Sequence, residues 1–74
     1  MKIGNITINN DGDVSHGLEY LKNKWETEEV KEIFRNARRE TDQNTHFSAN
    51  INGSTMHYIL KHNEYDTFFL KPND

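Results

Sequence analysis

Histidines are the residues of this chain best suited to acid–base chemistry, because imidazole titrates near neutral pH. Two of the 4 histidines fall between His46 and Leu60, where Asn52-Gly53 predicts a type I′ turn joining two strands. In that register Ser48 lies opposite His57, and His46 lies diagonally from His57 on the same polar face. The stretch therefore predicts a β-hairpin with two imidazoles within side-chain reach of each other.

These two histidines allow a catalytic site and a metal site to be considered. As acid and base, with Arg35 or Arg38 on a phosphate, they would form a small metal-independent ribonuclease. A zinc site built from them with Glu64 or Asp66 would lack the ligand spacing typical of zinc motifs. The sequence contains no Gly-rich phosphate loop or nucleophile motif, and 74 residues leave little room for a deep pocket. We therefore expect no enzyme, metal or cofactor, and we keep the ribonuclease based on His46 and His57 as an alternative.

The three arginines of the protein fall within five consecutive residues of one predicted helix. At 100° per residue, Lys31, Arg35 and Arg38 share one flank, with Arg39 further round. Cations near a helix C-terminus are favourable and Glu32 can pair with Arg35, so helix stability explains part of this cluster. The planar guanidinium also suits carboxylates and phosphates. The flank is therefore a candidate surface for an acidic partner or, as an alternative, for nucleic acid.

Composition limits the classes of function that need to be considered. The formal net charge of −3, from 9 basic and 12 acidic residues, disfavours a general nucleic-acid binder, which normally carries a clear basic excess. The absence of cysteine excludes disulfides and thiolate chemistry. No apolar run approaches the roughly 20 residues of a membrane span, and the N-terminus does not have the pattern of a signal peptide. We expect one domain, residues 1–74, in the cytoplasm and without membrane contact.

Two amphipathic helices are predicted before the hairpin. Apolar residues at i, i+4, i+7 and i+11 predict the buried stripe of the first helix: Val14, Leu18, Leu21 and Trp25. His16 and Tyr20 lie together away from that stripe. We expect a solvated pair with Tyr20 partly covered, and an exposed aromatic contact is the alternative. Thr27 is a good cap for the second helix, whose predicted buried face consists of Val30, Ile33, Phe34 and Ala37. The polar run Asp42–Thr45 then ends the helix and leads into the hairpin.

The strands are predicted from residues that alternate between two faces. Residues 2–8 indicate a short strand with Ile6 and Ile8 on one face, although Ile3 breaks the alternation and Gly4 weakens the run. The hairpin has an apolar face made by Phe47, Ala49, Ile51, Met56, Tyr58 and Leu60.

A third strand of the hairpin sheet is predicted over Thr67–Lys71, and its register is left open by the sequence. A two-residue turn at Asn63-Glu64 directs Phe69 to the core, whereas a three-residue turn directs Phe69 outward and Phe68 inward. In either register a large apolar side chain faces outward near Ile59. This indicates a second covered face or a binding patch.

The predicted element order is strand, helix, helix, strand, strand, strand. Because each helix has one narrow apolar stripe and the hairpin has one apolar face, we predict an α+β domain. In it two helices pack on one face of a small antiparallel sheet of three or four strands. The first strand is expected at either edge of the C-terminal meander or paired with another chain, so the prediction allows a monomer or a homodimer through a sheet edge.

A non-enzymatic binding module is the function that best fits these features. We expect a protein-binding inhibitor or regulator, and the frequent Asn, Ile and Lys are typical of low-GC bacteria and their phages. The expected partner is another protein, with nucleic acid disfavoured. The predicted partner-binding residues combine the cationic helix flank with one histidine and the outward apolar positions: Lys31, Arg35, Arg38, Arg39, His57, Ile59 and Phe68.

Overall fold

Two helices pack against one face of a five-stranded sheet in the computed structural model, which describes residues 1–39 and 44–73. The strands are β1 (Lys2–Ile3), β2 (Ile6–Asn10), β3 (Thr45–Ile51), β4 (Ser54–Glu64) and β5 (Thr67–Pro72), and the helices are α1 (Ser15–Asn23) and α2 (Glu28–Arg39). The α+β class and the element order are confirmed, with the first predicted strand divided in two. Within the described residues neither helix combines the length and hydropathy that a membrane span requires.

The N-terminal segment is a small hairpin rather than the single strand predicted. Gly4 has a φ of +59°, which a residue without a Cβ adopts readily, and the chain reverses there. As a result β1 and β2 pair antiparallel with Ile3 opposite Ile6. The reversal brings Ile3 to the core face together with Ile6 and Ile8, and it removes the break in alternation seen in the sequence.

The sheet is mixed, which corrects the purely antiparallel prediction. Its strand order is β1-β2-β5-β4-β3, and β2 pairs parallel with β5 while the other neighbours are antiparallel. The helices carry the chain from β2 to the far edge of the sheet. The meander β3-β4-β5 then returns beside β2, with β5 running in the direction of β2.

The central hairpin has the predicted turn and register. Asn52 and Gly53 have φ values of 53° and 84°, as a type I′ turn requires. Phe47 pairs with Tyr58, and Ser48 pairs with His57. The turn and the register are confirmed because they are determined by two adjacent residues and by a period of two. Met56, predicted on the apolar face, is however 47% exposed.

The connection between β4 and β5 differs from both predicted turns. The chain turns at Tyr65-Asp66, with Tyr65 at a φ of 50°, and the register shifts by one residue between His62 and Glu64. The inward direction of Phe68 is nevertheless the outcome of the second predicted register. Phe68 is fully buried, and Phe69 lies on the opposite, outer face of the sheet, across from Lys61.

The helices bury the predicted face of α2 and a wider face of α1 than predicted. Val30, Phe34 and Ala37 of α2 are buried as expected, whereas Ile33 of the same predicted face is only partly buried. In α1 both interpretations of Tyr20, as a partly covered member of a solvated pair or as an exposed aromatic contact, are wrong, because Tyr20 is only 6% exposed and its ring stacks on Phe47. Residues 40–43, which include Asp42 and Gln43 of the polar run predicted to end the second helix, lie outside the described residues.

Candidate functional site

A groove of about 400 Å³ lies between α2, the loop before it and the start of β2. Its origin is the placement of the helices, which pack chiefly over β3 and β4 and leave the β2 side of the same sheet face less covered. The groove is lined by four apolar and four charged residues: Ile6, Trp25, Val30 and Phe34, with Glu26, Lys31, Arg35 and Arg38.

The apolar floor of the groove is a continuation of the protein core. Phe34 contacts Trp25 edge-to-face with ring centroids 5.2 Å apart, and it contacts the buried Phe68 in the same way at 4.9 Å. Trp25 follows α1 in a tight turn in which the Thr27 hydroxyl donates a hydrogen bond of 2.7 Å to the carbonyl of Lys24. Trp25 is only half-buried, so part of the indole remains accessible in the groove.

The rim of the groove is cationic, with three cations and one carboxylate. Arg35 pairs with Glu32 on the same helix, and its other nitrogen lies 4.0 Å from Glu28. The side chain of Lys31 has no ion-pair partner within residues 1–39 and 44–73. Because these groups are exposed, the pairs are weak and a ligand carboxylate can compete for the cations.

Arg38 has a second role beyond the rim, because it holds the β4–β5 turn. Its guanidinium donates hydrogen bonds to the carboxylate of Asp66 at 2.9 Å and to the carbonyl of Tyr65 at 3.1 Å. The same group lies 5.0 Å from the centroid of the Phe68 ring, within cation–π distance. Arg38 therefore stabilises the β4–β5 turn as well as contributing positive charge to the rim of the groove.

The predicted partner-binding residues are divided between two faces and the core. Lys31, Arg35 and Arg38 line the groove, whereas Arg39 donates to Asn36 beside it. The prediction that Phe68 contributes to a surface is corrected, since Phe68 is 0% exposed beneath Arg38.

The remaining two, His57 and Ile59, lie on the outer face of the sheet, away from the helices. Ile59 does face outward, but it is only 9% exposed because neighbouring side chains cover it. The predicted partner-binding residues of the helix flank and of the sheet face therefore lie on opposite sides of the molecule.

The two hairpin histidines also lie on this outer face. Nδ1 of His57 lies 2.9 Å from the hydroxyl of Ser48, and Nδ1 of His46 lies 3.0 Å from the amide of Asn73. Arg35 and Arg38 are on the helical side, so the sheet separates the groups that the ribonuclease arrangement needs together. Within the described ranges no three His, Asp or Glu side chains are placed to hold a metal ion.

The groove floor was missed as a site because sequence patterns assign its residues to the core. Trp25 and Ile6 match the apolar periodicity of buried positions, and half-burial is a tertiary property. The one signal available was Trp25 itself, because tryptophan is large, is rarely fully buried and is enriched at binding surfaces.

An apolar floor beneath a cationic rim can bind a bulky apolar group that lies next to a carboxylate. The floor removes the apolar group from water, and the rim neutralises the charge. The chain matches no protein-family model, no curated protein and no solved structure. The geometry of the groove is therefore the basis for assigning a function.

Proposed function

We propose that the protein is a non-enzymatic binding module that captures a short segment of another protein in the groove beside α2. The observation that supports it is the apolar floor at Trp25 and Phe34 beneath the cations Lys31 and Arg35. A bulky apolar side chain of the partner fills the groove, and an adjacent Asp or Glu pairs with the rim. Aromatic floors and arginine are the features over-represented in the residues that dominate protein–protein affinity.

The size and charge of the groove favour a peptide segment over other ligands. A volume of about 400 Å³ is at the small end of ligand pockets and accommodates one or two large side chains. The cations are interleaved with carboxylates, since Glu26 lines the groove and Glu32 pairs with Arg35. A module of this kind acts as an inhibitor or regulator by covering the surface of its partner.

A display library of random short peptides tests this proposal, because the selection does not require the identity of the partner. We expect the selected peptides to combine a bulky apolar residue with a neighbouring Asp or Glu. Trp25 is the sole tryptophan of the protein and lines the groove, so its fluorescence reports directly on occupancy. Titration of a selected peptide should change the Trp25 emission and yield a dissociation constant.

Charge reversal on the rim provides the discriminating variants. K31E and R35E should each weaken peptide binding by roughly tenfold, because each replaces an attraction for the carboxylate with a repulsion. K22E is the matched control, since Lys22 is an exposed cation in the last turn of α1 and does not line the groove. Arg38 is unsuitable for this test because its loss also releases the β4–β5 turn.

Two outcomes would contradict the proposal. One is a library that yields no enriched sequence. The other is peptide binding that is equal in the wild type, K31E and R35E while circular dichroism shows all three folded. Replacement of His46 and His57 by alanine should leave binding unchanged, because both lie on the other side of the sheet.

A further inference from the structure

The outer face of the sheet is cationic, although the protein as a whole is acidic. Strand alternation places Lys61 of β4 and Lys71 of β5 on this face, together with His46 and His57. Along β2 to β5, all of which the structure describes, Glu64 at the end of β4 is the only carboxylate at an outer-face position. The face therefore has a local charge opposite in sign to the net charge of −3.

A shallow hollow of about 250 Å³ lies in the middle of this face. Lys61 pairs across the strands with Phe69, and Ile59 pairs with Lys71, so the two lysines flank the aromatic ring on adjacent strands. Phe69 is half-buried, and Asn44 completes the wall of the hollow. Its described lining thus consists of one aromatic ring, one aliphatic side chain, two ammonium groups and one amide, with no carboxylate among them.

We propose that this face binds single-stranded nucleic acid, with a base stacked on Phe69 and the neighbouring phosphates on Lys61 and Lys71. A flat, open sheet that presents an aromatic ring between cations is a general solution for single strands, since every base has a π-face and every nucleotide a phosphate. The imidazoles of His46 and His57 provide further rings along the same face. The hollow is smaller than the groove beside α2, about 250 Å³ against about 400 Å³, and its described lining includes no carboxylate that would repel a phosphate. The lining therefore favours a stacked base and its phosphates over a bulky peptide side chain.

This site is independent of the groove beside α2, because the sheet lies between the two. Few phosphates are contacted, so affinity should depend on salt with a shallow slope. For single strands log K falls with log salt by about 0.7 per phosphate contact. Two lysine contacts therefore predict a slope of about −1.4, and removal of one lysine should change the slope by about 0.7.

Fluorescence anisotropy with a labelled oligothymidylate at low salt tests the proposal. F69L should weaken binding by about tenfold, since it removes the stacking ring while leaving an apolar side chain in the hollow beside Ile59. K61Q and K71Q should each weaken binding and reduce the salt slope. The double variant K22Q/K24Q is the control, because it lowers the net charge by two at exposed positions in and after α1.

Competitors and groove variants separate the alternatives. Unlabelled oligothymidylate should compete strongly for the site. An abasic phosphate oligomer should compete weakly, and polyglutamate of matched charge should compete more weakly than the abasic oligomer. The proposal is overturned if oligothymidylate does not bind, if F69L binds as well as the wild type, or if polyglutamate competes equally. It is also overturned if K31E and R35E abolish oligonucleotide binding while F69L has no effect, since that would place the strand on the flank of α2.

Discussion

At the scale of single residues, Gly17 is a point of close approach between α1 and the sheet. A Cβ added there would lie 2.9 Å from two carbons of the Tyr58 ring, which is closer than side chains tolerate. Tyr58 is itself almost fully buried, so its ring has no space into which to move. Glycine costs the helix about 1 kcal/mol relative to alanine, and the close packing on Tyr58 explains its presence.

We predict that G17A lowers the free energy of unfolding by about 1 kcal/mol, because overpacking of about 2 kcal/mol exceeds the gain in helix propensity. Urea denaturation measures the change. G53A is the matched control: no atom lies within 4 Å of a Cβ added there, but the φ of +84° makes alanine unfavourable. In a Y58L background, G17A should lower the free energy of unfolding by less than it does in the wild type, whereas the effect of G53A should be the same in both backgrounds. If the effect of G17A is also the same in both, the Tyr58 ring is not its cause.

Tyr20 and Tyr58, both buried in the core, have raised pKa values that should make the stability of the protein depend on pH in the alkaline range. Burial raises the pKa of Tyr20 above its ordinary value of 10.0, and the hydrogen bond to Glu29 and the charge of that carboxylate add to the effect. Burial also raises the pKa of Tyr58, with the backbone of Gly17 opposing and the charge of Asp13 adding to it. The folded state therefore holds both phenolic protons more tightly than the unfolded state.

Because both tyrosines have a raised pKa in the folded state, their contribution to the free energy of unfolding is fully present below the ordinary pKa of 10.0. The contribution is lost as the pH rises from there through the folded-state pKa. We predict a fall in the free energy of unfolding with rising pH in this alkaline range. Y20F should make the fall shallower, and Y20F/Y58F should make it shallower again. Urea denaturation at a series of pH values measures the slopes, and parallel curves for the three proteins would refute the assignment.

At the scale of elements, the β4–β5 connection depends on α2. The carbonyl of Tyr65 accepts hydrogen bonds from Arg38 at 3.1 Å and from Nε2 of His62 at 2.6 Å. The carbonyl of Asp66 in the same turn accepts one from the amide of Thr7 in β2 at 2.8 Å. One tight turn thus joins the second helix, the meander and the parallel strand pair.

We predict that R38M loosens this turn locally and lowers global stability by no more than about 1 kcal/mol, because the ion pair with Asp66 is exposed. Methionine retains an aliphatic chain over Phe68, so the effect isolates the guanidinium. Native-state hydrogen exchange should quicken at the amide of Thr7 and stay constant in the β3–β4 hairpin. R39M is the control, and equal acceleration in both variants would contradict the role given to Arg38.

At the scale of the whole molecule, the sheet separates two surfaces of different chemistry. The helical side carries the groove with an apolar floor and a cationic rim, and the outer side carries the lysines around Phe69. Neighbouring side chains on one strand therefore lie on different faces of the sheet. Phe68, for example, is buried in the core, whereas Phe69 is half-buried on the outer face. A chain of 74 residues can in this way present two surfaces of different chemistry on the two sides of one sheet.

We predict that the two faces act independently. K31E should weaken binding of the selected peptide and leave oligothymidylate affinity unchanged, whereas F69L should have the opposite pattern. Saturation with the oligonucleotide should leave Trp25 emission unchanged, because the indole lies in the groove on the other side of the sheet. Competition between peptide and oligonucleotide would show a shared surface and contradict this separation.

Local patterns in the sequence determined the parts of the fold that depend on neighbouring residues. Asn52-Gly53 specified the hairpin turn and its register, and the 3.6-residue periodicity specified the buried face of α2. The element order followed from these patterns. For the candidate site, the same patterns identified the cations of the groove rim as a cluster on one flank of α2, and they assigned Trp25 to the core.

The tertiary structure alone decided how these elements combine. The parallel pairing of β2 with β5 joins residues about sixty positions apart, and no local pattern specifies it. The shift at His62 to Glu64 accompanies the inward direction of Phe68, and α1 packs on the sheet with Gly17 and Tyr20 both buried. The groove exists because two helices cover only part of a five-stranded sheet, which depends on how far each element packs across its neighbours and is a property of the assembled molecule.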